Sequence, residues 1–69
     1  MRKFIIIYDI PRDRKALLVK INRALHAINA EKIQHSVWQS SDIDQLKIIA
    51  GLIKQEGGVA RILEEKEIV

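Results

Sequence analysis

The sequence predicts a small α/β domain in which strands and helices alternate. Three observations predict it. A continuous β-branched apolar run, Phe4-Ile5-Ile6-Ile7-Tyr8, opens the chain. Two later segments carry apolar residues at helical spacing, one from about Asp13 to Asn29 and one ending near Glu56. Between and after these lie two further stretches of strand character, Lys32–Gln39 and Val59–Leu63.

The first run reads as a strand buried on both faces and central in its sheet, because a strand with one face in water would alternate apolar and polar residues. Pro11 ends it, which leaves Asp9 at the carboxyl end of the strand, where the chain leaves the sheet. Asp13 is the expected N-cap of the first helix. Leu17, Ile21, Ala24, Leu25 and Ile28 make one apolar stripe, with Lys15, Asn22, Arg23 and His26 mainly off it, and Asn29 is a suitable stop. Ser41-Asp42-Ile43-Asp44 has the Ser-x-x-acid form of a helix start. The second helix carries its stripe on Leu46, Ile49, Ala50 and Ile53, with Leu52 beside it. Gly51 lies inside that helix, where it costs about 1 kcal/mol relative to alanine; its expected use is to let another backbone approach. Gly57-Gly58 terminates the helix. Ile68-Val69, after a charged stretch, is an expected strand extension that pairs elsewhere, on a partner copy.

The middle region leaves the topology open. As one strand it gives a parallel βαβαβ unit. As two short antiparallel strands it gives the ferredoxin-like βαββαβ arrangement. No glycine, proline or asparagine marks a turn within it, and periodicity favours neither.

Residues 1–69 are expected to form a single domain of a size at which one core supplies little net stability. There is no cysteine, which excludes disulfides and thiolate metal sites, so association with a second copy is the expected additional source of stability. No apolar run approaches the roughly 18 residues needed to span a membrane, and the apolar N-terminal run stops at Tyr8-Asp9, too early for a secretion signal. A cytoplasmic protein is expected. The net charge of +3 is unevenly spread: through Trp38 there are eight basic and three acidic residues, and from Gln39 onward four basic and six acidic. A basic front half suits a polyanion such as nucleic acid.

Two stretches are more specific. The first strand ends Ile6-Ile7-Tyr8-Asp9-Ile10, and the middle region reads Lys32-Ile33-Gln34-His35-Ser36-Val37-Trp38. Both resemble the signature stretches of the Cas-two family (CRISPR-associated protein two). They stand in that family's order, with a basic amphipathic helix of the right length between them, and the later helix and last strand match in position. The resemblance covers nearly the whole chain. It implies the ferredoxin-like βαββαβ fold with an antiparallel sheet, splitting the middle region near Glu31–Gln34 and Ser36–Ser40. It also implies a homodimer whose two sheets face each other. In function it implies an antiviral-defence protein of CRISPR spacer acquisition, a magnesium-dependent endonuclease on RNA or DNA, or a non-catalytic scaffold that bridges the CRISPR integrase subunit on DNA. Asp9 takes the place of the family's metal-binding aspartate, and Tyr8 that of the tyrosine before it; the resemblance implies both as catalytic residues, with Asp9 the metal ligand. Arg12, Arg14 and Lys15 lie near the places of the first-helix arginines, although Ala16 and Leu18 occupy the next ones. Lys32 stands where arginine is common and keeps the charge without the bidentate fork. Trp38 stands where phenylalanine is usual. The stretch Glu64–Val69 is shorter than the final strand with which the family docks its integrase.

One aspartate per chain is few for phosphodiester hydrolysis with Mg²⁺, which binds through one or two carboxylates and retains several waters. Two Asp9 side chains meeting across a two-fold axis suffice for one ion, and Arg12, Arg14, Lys15 and Lys32 then hold phosphates by charge. His26 and His35 lack a partner at metal-ligand spacing and read as surface histidines, Ser36 has no base partner, and no glycine-rich phosphate loop occurs. Val37 and Trp38 read as core or interface residues. Two other readings share the fold: a toxin-type endoribonuclease of the virulence-associated protein D kind, and an RNA-binding module. The second needs exposed stacking aromatics, and Phe4, Tyr8 and Trp38 are the chain's whole supply.

Overall fold

The computed structural model describes residues 2–66; the expected pairing of Ile68-Val69 lies outside them. The elements run β1 (Phe4–Asp9), α1 (Lys15–Ala27), β2 (Glu31–Gln34), β3 (Val37–Ser40), α2 (Ile43–Gln55) and β4 (Val59–Glu64). The strands form one sheet in the order β2-β3-β1-β4, with every neighbouring pair antiparallel. This is an α+β domain compatible with a ferredoxin-like arrangement, and it excludes the parallel βαβαβ alternative. The middle region is a hairpin. Its turn residues are His35 and Ser36, and Ser36 carries φ 68°. A serine fills the left-handed position that glycine or asparagine usually signals, which is why no turn was legible there.

Both helices pack on one face of the sheet. Ile6, Tyr8, Trp38 and Ala60 point from the strands into a core shared with Leu17, Ile21 and Leu25 of α1 and with Leu46, Ile49, Ala50 and Ile53 of α2. The α2 stripe read from the sequence is the set of residues that helix buries. β1 is central, as expected, but it is not buried on both faces. Ile6 and Tyr8 are enclosed, whereas Ile5 is half-buried and Ile7 is 38% exposed. Side chains alternate across a strand, and among the described residues nothing covers the second face.

The helix ends follow local chemistry. Each helix closes with the paired hydrogen bonds of a Schellman motif. After α1, Ala30 N–H donates to the Leu25 carbonyl and Asn29 N–H to that of His26, with Asn29 at φ 58°. After α2, Gly58 N–H donates to Ile53 and Gly57 N–H to Lys54, with Gly57 at φ 90°. The starts differ from expectation by one residue each. The first helix is preceded by Arg14, which makes no side-chain cap, and Asp13 instead sits in a turn closed by Arg14 N–H donating to the Pro11 carbonyl (3.0 Å). Asp42, not Ser41, caps α2, its carboxylate accepting from Gln45 N–H at 3.1 Å. Ser40, buried in the sheet, accepts the Asp42 N–H at 3.0 Å, and this bond sets the one-residue shift.

Gly51 does not serve a close approach. It is exposed, and a Cβ there would meet nothing within 4 Å. The close approach occurs at Gly58, where a Cβ would lie 2.7 Å from Ile53 Cγ2 and 2.8 Å from the Asp9 carbonyl oxygen.

Candidate functional site

The carboxyl end of β1 is where the fold gathers its polar chemistry. Asp9 is exposed, ends the strand opposite Val59, and shares the parity of Ile5 and Ile7. It therefore stands at one end of the sheet face that the helices leave open. On that face Ile7 lies between Val37 and Arg61, and Ile5 between Gln39 and Leu63. Val59 and Leu63 are 61% and 49% exposed. The face is thus apolar for most of its extent, with Arg61 the cation within it.

Beyond Asp9 the chain turns through Pro11–Arg14 and enters α1. Lys15, Ala16 and Leu17 N–H groups have no backbone partner, no side chain caps them, and the first turn holds no acidic residue. Unpaired N–H groups at a helix start carry partial positive charge. Arg14 and Lys15 add full charges at the same place, where an acid is usual. Arg14 is shared with Glu56 in a half-exposed ion pair at 3.8 Å, an interaction of little energetic consequence.

The turn, the first residues of α1 and the β2–β3 hairpin enclose a cleft of about 450 Å³, within the range of small-ligand sites. Tyr8, Asp9, Arg12, Arg14 and Lys15 all line it, together with His35 and Ser36. Five of the six residues singled out in the sequence thus meet in one place. Lys32 does not join them. It sits on the edge strand β2 opposite Trp38, exposed and outside the cleft.

His35, which the sequence reads as a surface histidine, and Ser36, which it reads as lacking a base partner, join the cleft as residues it did not assign there. The hairpin brings them there: Tyr8 N–H donates to the Ser36 carbonyl at 3.1 Å, which fastens the turn beside the end of β1. No local signal marks them, because their place depends on a strand pairing between distant segments.

Tyr8 is 5% exposed and anchored at both sides of its hydroxyl. Trp38 Nε1–H donates to it at 3.1 Å, and it donates to Asn22 Oδ1 at 3.3 Å. The chain of bonds ties β3, β1 and α1 together directly behind Asp9. Burial pushes the Tyr8 phenol above its ordinary value of 10.0, and the Trp38 donor opposes this in part. The consequence for stability has a definite sign. Below pH 10 the phenol is protonated in folded and unfolded chains alike, and the native contribution is intact. Above it the unfolded chain ionises first, so stability falls as pH rises from the unfolded value toward the folded one. Tyr8 is the sole tyrosine, so near-ultraviolet tyrosinate absorbance is expected to rise later than in the unfolded chain, together with loss of helical circular dichroism. Titration of the native protein at the unfolded midpoint would contradict this burial.

Among the described residues no three His, Cys, Asp or Glu side chains lie close enough to hold a metal ion. Asp9 is the carboxylate of the cleft.

No family model and no curated protein matches the sequence.

The chemistry of the site rests on its own arrangement. Three cations, Arg12, Arg14 and Lys15, line the cleft together with one exposed carboxylate, a hydroxyl-bearing turn and an imidazole, and the uncapped start of α1 lies beside them. Such a cleft can hold the phosphates of a polyanion through charge and backbone N–H groups. It offers one hard oxygen ligand per chain. No helix among the described residues is long and apolar enough to cross a membrane.

Proposed function

We propose that the chain works on nucleic acid as a homodimer of ferredoxin-like subunits, hydrolysing phosphodiester bonds of RNA or DNA as its resemblance to the Cas-two family implies. One observation carries this reading: Asp9 stands where a cationic cleft meets an open apolar sheet face. A face bearing Ile7, Val59 and Leu63 gains by leaving water. Packing two such faces about a two-fold axis brings the two Asp9 residues to the same interface, because they share its parity.

The donor set fits a magnesium ion only when two copies contribute. Magnesium takes one or two carboxylates, one Asp9 is available in each cleft, the sequence holds no cysteine, and no three-ligand cluster competes among the described residues. Asp9 from each subunit would hold the ion, which supplies activated water and neutralises developing charge. Arg12, Arg14, Lys15 and the start of α1 hold the substrate's phosphates, and Lys32 on the edge strand contacts backbone farther along. Tyr8 and its bonds to Trp38 and Asn22 fix the strand end that presents Asp9.

The test combines mass in solution with cleavage. Light scattering is expected to give a dimer, and oligoribonucleotides or duplex DNA are expected to be cut in Mg²⁺ and spared in chelator. Asp9→Asn is expected to keep nucleic-acid binding and lose cleavage. A monomer at all accessible concentrations, or full cleavage by the variant, would remove the reading.

A second reading, the non-catalytic dimeric scaffold for a CRISPR integrase, is favoured by the sparse carboxylate set. It shares the dimer and the binding cleft, and differs in expecting no cleavage by the wild type together with a stable complex with the integrase on DNA.

A further inference from the structure

We propose that His35 is a catalytic residue of the cleft, the proton donor to the leaving oxygen of a cleaved phosphodiester. The proposal rests on the nuclease reading above and adds a role that the sequence did not assign.

The positional observations are independent of the family resemblance. His35 is exposed, lines the same cleft as Asp9, and belongs to a turn held to β1 by the Tyr8–Ser36 backbone bond. Its position relative to Asp9 is therefore set by sheet pairing. The other ionisable groups of the cleft are poorly suited to the task. Arginine stays protonated and lysine binds its proton too tightly near neutral pH. A carboxylate accepts and does not donate. The Tyr8 hydroxyl proton is directed at Asn22 inside the core, and burial makes it harder to release. Imidazole is the side chain that exchanges protons readily near neutrality, and His35 supplies the cleft's imidazole.

The step balances without a further reagent. Water adds to phosphorus and the bond from phosphorus to the leaving oxygen breaks. That oxygen takes the imidazolium proton, water's proton passes to solvent, and solvent restores the proton on His35. The products are a phosphate monoester and an alcohol.

The leaving group provides the test. His35→Gln and His35→Ala, in the otherwise intact chain, are assayed on a single-stranded oligoribonucleotide and on a nucleotide p-nitrophenyl ester, both in Mg²⁺. Nitrophenolate leaves without protonation. The oligonucleotide rate is expected to fall about 10²–10⁴-fold, the range for loss of a general acid, with oligonucleotide affinity unchanged and the p-nitrophenyl ester cleaved near the wild-type rate. Wild-type cleavage of the oligonucleotide by both variants would overturn the role of His35 and leave the nuclease reading intact. Equal losses on both substrates would also overturn it, assigning His35 to positioning. Absence of cleavage by the wild type would overturn both.

Discussion

Trp38→Ala is expected to remove most or all of the chain's folding stability. Trp38 is 2% exposed and among the largest fully buried side chains. Its ring meets His26 edge-on at 5.1 Å, and its Nε1–H donates to the Tyr8 hydroxyl. Truncating a buried tryptophan costs about 3–5 kcal/mol. A domain of this length has a total of roughly 3–10 kcal/mol, at the usual 0.05–0.15 kcal/mol per residue. The variant is therefore expected to show a weak or absent cooperative transition in urea, followed by far-ultraviolet circular dichroism because the chain's sole tryptophan is gone. Trp38→Phe keeps most of the ring and loses the donor, so its cost is expected near 1 kcal/mol. A loss below about 1 kcal/mol for the alanine variant would show that Trp38 does not fill the core.

Gly58→Ala is expected to damage both stability and the site. The new Cβ would meet Ile53 Cγ2 at 2.7 Å, the Asp9 carbonyl oxygen at 2.8 Å and the Ile53 carbonyl oxygen at 3.2 Å. Two of these are backbone atoms, so no side-chain rotation clears the contact. Relief requires the start of β4 to move away from the end of β1, where Asp9 resides. Overpacking of this kind costs about 1–3 kcal/mol. The measurement is the urea midpoint alongside nucleic-acid binding at a temperature where the variant remains folded. A midpoint equal to wild type would mean that the two strand ends are not in contact. Gly57→Ala is a useful comparison, since it strains the backbone at φ 90° but its Cβ meets nothing within 4 Å.

Individual residues show which parts of the molecule were legible in advance. Leu46, Ile49, Ala50 and Ile53 recur at helical spacing and are the residues α2 buries. Asn29 and Gly57 stop their helices as residues tolerant of positive φ should. Asp9 sits at the end of its strand because Pro11 forces the exit. The misreadings have equally local causes. Asp13 reads as a cap, but the turn that Pro11 begins consumes it, and the cap position falls one residue later, at Arg14. Gly51 looked like a contact point, whereas the contact glycine is Gly58. Composition cannot say which glycine faces a neighbour. The β1 run reads as doubly buried because Ile5 and Ile7 are apolar, but among the described residues nothing covers the second face.

The amino-acid order by itself determined the first and last strands, the two helices and their order, the apolar side of each helix and the acid at the first strand's end, all of which depend on residues within a few positions of one another. It left open whether the middle region was one strand or two. Tertiary structure decided the rest. The left-handed Ser36 makes the middle region a hairpin, the alternative that the family resemblance implied and local signals left open, and the antiparallel pairing of β3 with β1 then carried His35 to the basic turn around Arg12 and Arg14. Periodicity reports which way a side chain faces within its own element. It holds no record of which distant element comes to lie opposite, because that is set by the joint packing of both helices on one side of the sheet.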